Sequence, residues 1–192
     1  MDMKNMLALS INSYTSQGGA PNVSIGQGPK KVYIQAGGNL PDSSYWILIL
    51  DANNPQSKVK EFVVPGGSNS KVPDGLDAYM SNTKYLFVLT TKSLITYNVP
   101  QGDFFDYLVK YGAGRELQRL EQINSVYGCG AFGHVSYILT GQCGPRGSGI
   151  NPPSYEVCGL EKSSLLLISV MAQPNGQPPY VLCNNYTYIT RP

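Results

Sequence analysis

The sequence predicts an α+β fold, with β-sandwich-like antiparallel sheets and two or three helices packed on them. Three observations lead there. Turn-formers are abundant, with 21 Gly and 14 Pro in 192 residues, which suits many short strands joined by tight connections. Charged residues make up only 14% against 42% hydrophobic, a balance that excludes most disorder and supplies one sizeable core. The periodicity runs strands, a short helix, a strand, a broken helix, then strands again, the order of a mixed rather than an alternating fold.

Residues Leu7 to Tyr14 read as a strand, followed by the turn-rich Gln17 to Asn22. Lys31 to Ala36 has the period-2 character of a half-buried strand and stops at Gly37-Gly38. Tyr45 to Leu50 is apolar throughout, as a central strand covered on both faces should be. Asp51 to Pro55 turns the chain, and Lys58 to Val64 returns as its hairpin partner before Pro65-Gly66-Gly67.

From Pro73 the period changes. Leu76, Tyr79 and Met80 stand at i, i+3 and i+4 of a short amphipathic helix. Lys84 to Thr90 is another buried strand. Pro100 to Tyr127 is the best helical stretch: Asp103 is placed to cap Phe104, Phe105, Leu108 and Tyr111, and after the break at Gly112-Ala113-Gly114 the stripe continues through Leu117, Leu120 and Ile123. Glu116 and Arg119 then face solvent. Beyond residue 128 strands return at Gly133 to Thr140, Ser154 to Gly159, Leu165 to Ala172 and Pro179 to Ile189, with Gly141 to Pro153 as a turn-rich connection. The last two make a hairpin around Pro174-Asn175-Gly176-Gln177.

The charge balance, 14 Lys+Arg against 12 Asp+Glu, argues against a broad basic face for nucleic acid. Met1 to Ser16 carries an apolar run, Met6 to Leu9, far shorter than a signal-peptide core, so the chain is expected to be made without a signal peptide. The longest apolar stretches fall short of the roughly 20 residues that cross a bilayer, and no membrane insertion is expected. Cys129, Cys143, Cys158 and Cys183 form no C-x-x-C pair. They are possible disulfide partners, locally Cys129 with Cys143 and Cys158 with Cys183, or else free buried thiols.

Catalytic signatures are weak. There is one histidine, His134, which suits a structural role. No G-x-S-x-G or Walker A sequence occurs, and the literal G-x-G-x-x-G at Gly128 to Gly133 follows a helix and precedes a strand, the reverse of the phosphate-binding order. Asp74 with Asp77 and Asp103 with Asp106 are carboxylate pairs, but acids at helix starts are expected from the helix dipole alone. No catalytic residue, metal ligand or cofactor is assigned. The 14 Tyr against 5 Phe suit strands, wet interfaces, multi-chain contacts or sugar surfaces. The candidate ligand or partner contacts are Tyr45, Tyr180, Tyr186 and Tyr188, the last two on one face of a strand, with Arg115 and Arg119 one helical turn apart for an acidic group. Trp46 heads a buried strand and is assigned to the core.

The succession Val32-Tyr33-Ile34-Gln35, Trp46 to Asp51, Lys60-Glu61-Phe62, Leu76-Asp77-Ala78-Tyr79 and Leu86 to Leu89 resembles the interleukin-like EMT-inducer, or PANDER-like, domain family. So do Arg115-Glu116-Leu117-Gln118-Arg119-Leu120 and Phe132-Gly133-His134-Val135-Ser136-Tyr137 with the residues up to Gly141, which are similar to that family's last helix and closing strand. The resemblance covers roughly residues 30 to 142. It implies a compact sandwich-like fold without catalytic apparatus, in a family that includes secreted signalling proteins and a sugar-binding stem domain. It divides the chain into an N-terminal strand or arm at 1–30, the resembling domain at 31–142 and a C-terminal β extension at 143–192.

The function expected is that of a non-catalytic structural and recognition module of a virus-like (phage) particle: a tail, baseplate, fibre or capsid-decoration protein. Its partners would be other protein chains in a symmetric assembly, with a cell-surface glycan as a further candidate, and its location the virion or the extracellular space. The alternatives are a secreted carbohydrate-binding or signalling domain and, third, a small glycan-acting enzyme. The apolar strands Leu165 to Met171 and Tyr180 to Cys183 need a partner surface, expected to be Leu7 to Tyr14 or a neighbouring chain.

Overall fold

The structure, a computed structural model, describes residues 6–15, 19–37, 39–127, 133–147, 151–160, 163–172 and 179–191. Its first half contains β1 (Met6–Tyr14), β2 (Asn22–Gly26), β3 (Val32–Gln35), β4 (Ser44–Asp51), β5 (Asn54–Pro65), α1 (Asp77–Met80), β6 (Tyr85–Lys92) and β7 (Leu94–Ile95). Then come α2 (Gly102–Lys110), α3 (Arg115–Tyr127), β8 (His134–Gln142), β9 (Ser154–Gly159), β10 (Ser163–Met171) and β11 (Val181–Arg191). The protein is mostly β-sheet, with three helices among the described residues.

The strands pair in two rows. One runs β5-β4-β6-β8-β9, with β7 added beside the start of β8; the other runs β3-β2-β1-β10-β11. All neighbours within a row are antiparallel. A single parallel bridge, Tyr14 opposite Lys92, joins the rows into one eleven-stranded, nearly closed, barrel-like sheet.

The apolar run of β4 explains the layering. Tyr45, Ile47 and Ile49 enter one core and Trp46, Leu48 and Leu50 the other, because successive side chains of a strand point to opposite faces. The first core is closed by the helices, through Leu76 and Met80 of the α1 region, Phe104, Leu108 and Tyr111 of α2, and Leu117 and Leu120 of α3. The second lies between the rows, where Leu9, Ile11, Val23, Ile25, Leu166 and Ile168 meet Trp46, Leu48, Leu86, Val88 and Ile138. Each such side chain contributes about 1.5–3 kcal/mol on burial, and this is what holds the N-terminal strand. β1 runs antiparallel to β10 from Met6 opposite Met171 to Tyr14 opposite Ser163, the pairing expected for the C-terminal strands.

A buried polar seam fixes the corner where the rows join. The Ser13 hydroxyl donates to the Thr91 carbonyl at 2.8 Å, Thr90 Oγ1 to the Asn12 carbonyl at 3.0 Å, and the Ser93 amide to the Tyr14 carbonyl at 2.6 Å. Farther along, the Ser136 and Ser164 hydroxyls meet at 2.6 Å. Buried polar groups must be paired, so sliding β1 along β6 would cost these bonds as well as the apolar register.

Four expectations change in detail. Asp103 does not cap α2: the cap position is Gln101, and Asp103 sits in the first turn with only the helix dipole to meet. The helix of residues 74 to 80 shrinks to Asp77–Met80. β3 is more exposed than half-buried, with Tyr33 59% and Val32 37% accessible, because it ends its row. β5 is longer than Lys58 to Val64 and carries a bulge at Val59, where the pairing jumps from Lys60 to Lys58 opposite Ile49 and Leu50. The turn at Pro174 to Gln177, the glycine run from Gly128 to Phe132 and the Ile123 side chain lie outside the described residues.

Candidate recognition surfaces

Of the residues singled out in the sequence, Tyr45, Tyr180 and the Arg115–Arg119 pair lie on separate parts of the fold. Tyr45 is wholly buried and cannot meet a ligand, which corrects its assignment as a contact. Its hydroxyl donates to the Asn98 carbonyl, and its ring stands at 82° to Phe104 with centroids 5.3 Å apart; burial drives its pKa well above the ordinary tyrosine value. The reason is the strand's register, which turns residue 45 toward the helices. Arg115 and Arg119 stand exposed at the start of α3, where Arg119 Nη1 is 3.5 Å from Glu116 Oε2. Tyr180 packs against the other core, and its amide donates to the Ala52 carbonyl at 2.6 Å, tying the lead into β11 to the β4–β5 turn. Tyr186 and Tyr188 are placed on β11 opposite Ile168 and Leu166, but their side chains lie outside the described residues.

Cys143, Cys158 and Cys183 carry free thiols, so Cys158 and Cys183 are not paired; Cys129 lies outside the described residues. Cys143 and Cys158 are buried, and desolvation pushes both thiols up to about 12. They stay protonated at neutral pH, and a protonated thiol is a poor nucleophile.

His134 Nδ1 is 2.9 Å from both the Ser93 hydroxyl and the Ser93 carbonyl. A carbonyl only accepts, so Nδ1 carries the proton and cannot take one from Ser93. Ser93 is wholly buried, at φ 50°, and its hydroxyl also donates to the Thr15 carbonyl at 3.1 Å. The pair therefore acts as a clamp between the β6–β7 corner, the end of β1 and the start of β8.

Two carboxylates that the sequence did not single out for these roles organise the helical layer. Glu156 of β9 accepts from the Gly114 amide at 2.9 Å and the Glu116 amide at 2.8 Å through Oε1, and from the Tyr137 hydroxyl at 2.8 Å through Oε2. It thus caps α3 from another strand, with a negative charge at the positive end of the helix. Asp77 accepts from the Tyr111 and Tyr107 hydroxyls at 3.0 and 3.3 Å, while Lys110 Nζ stands 3.7 Å from it and over both rings. Burial, with Asp77 alongside, pushes Tyr111 up to about 12 and raises Tyr107 further.

Among the concave sites on the surface, two bear on recognition. One, of about 320 Å³, is walled by Asn39, Leu40, Pro41 and Val63 over Trp46 and Glu61. The indole N–H donates to Glu61 Oε2 at 3.1 Å and Lys58 stands 3.5 Å from Oε1, so the carboxylate is fixed from two sides. The other, of about 290 Å³, runs between the start of α2 and the end of α3, with Val99, Pro100 and Phe105 beside Asp106 and Glu121. Asp106 was legible only as a helix-start acid, and its convergence with Glu121 needs the α2–α3 packing. Among the described residues no helix is long and apolar enough to cross a membrane. Compared with protein-family models, curated proteins and solved structures, the chain has no match.

Proposed function

We propose that this chain is a structural and recognition module of a phage-like particle, non-catalytic, meeting other protein chains in a symmetric assembly. The observation that carries the reading is the free side of β3. This strand pairs only with β2 among the described residues, and it presents Val32 and Tyr33 to solvent. An uncovered edge with exposed apolar side chains is a template for another chain unless it is guarded. The contrast with β5 lies in its guards and not in its apolar content: that edge also exposes Val59 and Val63, but it carries a bulge at Val59 between Lys58 and Lys60, devices that discourage strand addition. We read the two stacked rows as a β-sandwich with helices on one outer face.

The test is the mass of the native protein by light scattering. A symmetric oligomer supports the module reading. A clean monomer of 20.8 kDa at high concentration overturns it in favour of a free carbohydrate-binding domain. The cleft over Trp46 and Glu61, apolar with one fixed carboxylate, favours that second reading. A glycan array on the monomer, with Glu61→Ala as control, decides it.

A further inference from the structure

Resting on the assembly reading, the structure also offers two surfaces that fit each other. The first is the knob between β2 and β3, Gly28-Pro29-Lys30-Lys31, continuing into the exposed Val32 and Tyr33. Lys30 and Lys31 are exposed and enter no ion pair among the described residues. The knob is rigid. Gln56 Nε2 of β5 donates to the Lys30 carbonyl at 2.6 Å and the Ile25 carbonyl at 3.0 Å. Gly26, at φ 143°, lies so close beneath it that a Cβ there would stand 2.7 Å from the Lys30 carbonyl oxygen. A preformed surface loses little freedom on docking.

The second is the groove between α2 and α3. Phe105, partly accessible, stands in its wall over the buried Val99 and Pro100, its rim carries Asp106 and Glu121, and no Lys or Arg lines it. Those two carboxylates are likewise in no ion pair among the described residues. The groove is fixed from below, where the Gln101 amide donates to the Asn69 carbonyl at 2.9 Å.

We propose that the knob of one copy seats in the α2–α3 groove of the next. Tyr33 meets Phe105 at the groove wall, and Lys30 and Lys31 meet Asp106 and Glu121. Charge complementarity selects this pairing: in a chain with 14% charged residues, a basic knob and an acidic groove each stand outside any ion pair among the described residues, and the knob continues into the exposed Tyr33. The two surfaces belong to opposite layers, since the helices cover one face of the row β5-β4-β6-β8-β9 and the row holding β2 and β3 covers the other. The contact is therefore heterologous. Each docking leaves a free knob at one end and a free groove at the other, and growth ends only when a ring closes or continues as a filament.

The experiment is light scattering on the full chain over a concentration and salt series, for the wild type, Lys30→Gln/Lys31→Gln and Asp106→Asn/Glu121→Gln. All four positions are exposed or rim residues, and far-UV circular dichroism checks that the fold is kept. The wild type is expected to gain mass beyond two chains, and each double variant to need at least about tenfold more protein for the same mass, consistent with losing two charge pairs beside an apolar contact. An equimolar mixture of the two variants should stop at two chains, because one brings an intact groove and the other an intact knob. Variants that assemble like the wild type, or a wild type that stops at two chains, overturn this contact while leaving the assembly reading in place. A wild type that stays monomeric overturns both.

Discussion

Replacing Glu156 by alanine should destabilise the protein far more than an exposed strand residue normally would. The side chain is only half-buried, but it holds three hydrogen bonds from two different layers: two to amides at the start of α3 and one to the Tyr137 hydroxyl. Losing a helix cap costs about 1 kcal/mol. Leaving the hydroxyl of Tyr137, a wholly buried residue, without its acceptor costs about 1–3 kcal/mol more. The sum, about 2–4 kcal/mol, corresponds to a fall in Tm of roughly 4–16 °C for a chain of this length. Glu156→Gln separates geometry from charge. Its carbonyl oxygen can keep the two amides and its NH2 can donate to Tyr137, so about 1 kcal/mol should be lost. Urea unfolding of the three proteins measures all of this. If Glu156→Ala unfolds within about 0.5 kcal/mol of the wild type, or if the glutamine variant is as weak as the alanine one, the capping argument is wrong.

Gly112→Ala should lose about 2 kcal/mol in the same assay: residue 112 sits at φ 99°, and a Cβ would stand 1.9 Å from Ser154 Oγ, whose bond to the Gly112 carbonyl would break. Stability should also fall in alkali. Cys143 and Cys158 titrate near 12 when folded but near 9 when unfolded, so above pH 9 the unfolded state releases protons that the native state retains. The slope is about 1.4 kcal/mol per pH unit for each thiol up to about pH 12, and Cys143→Ala should flatten it by one thiol's share in urea titrations at pH 8 to 11. Removing residues 1–30 takes away β1 and β2, with Leu9, Ile11, Val23 and Ile25 wholly buried in the wild type. The product should aggregate, and a soluble, folded monomer by light scattering would count against the pairing of β1 with β10.

Much of the fold was legible because the signals are local. Six consecutive apolar residues from Tyr45 to Leu50 read as a doubly covered strand, and they are. The spacing of Phe104, Leu108, Leu117 and Leu120 gave the buried stripe of α2 and α3, broken at the glycines where the chain does break. β2 and β7 were less visible, since Asn22 to Gly26 is short and partly polar and Leu94-Ile95 is only two residues long. The clefts were not legible, for each draws on elements 15 or more residues apart, as Trp46 and Glu61 do. Tyr45 failed as a contact for a related reason: an aromatic at a strand start reads the same whether its register turns it inward or out.

By itself the sequence determined most of the segments that are strands and helices, and that the C-terminal strands require a partner surface. These follow from composition and periodicity, which act over a few residues. Tertiary structure alone decided that β1 inserts between β2 and β10, that Glu156 caps a helix some 40 residues away in the chain, that Asp106 and Glu121 share a groove, and that β3 pairs on one side only among the described residues. Each of those depends on which distant segments close on one another. That choice is made by the summed burial of two cores and the pairing of every polar group trapped between them, not by any local pattern.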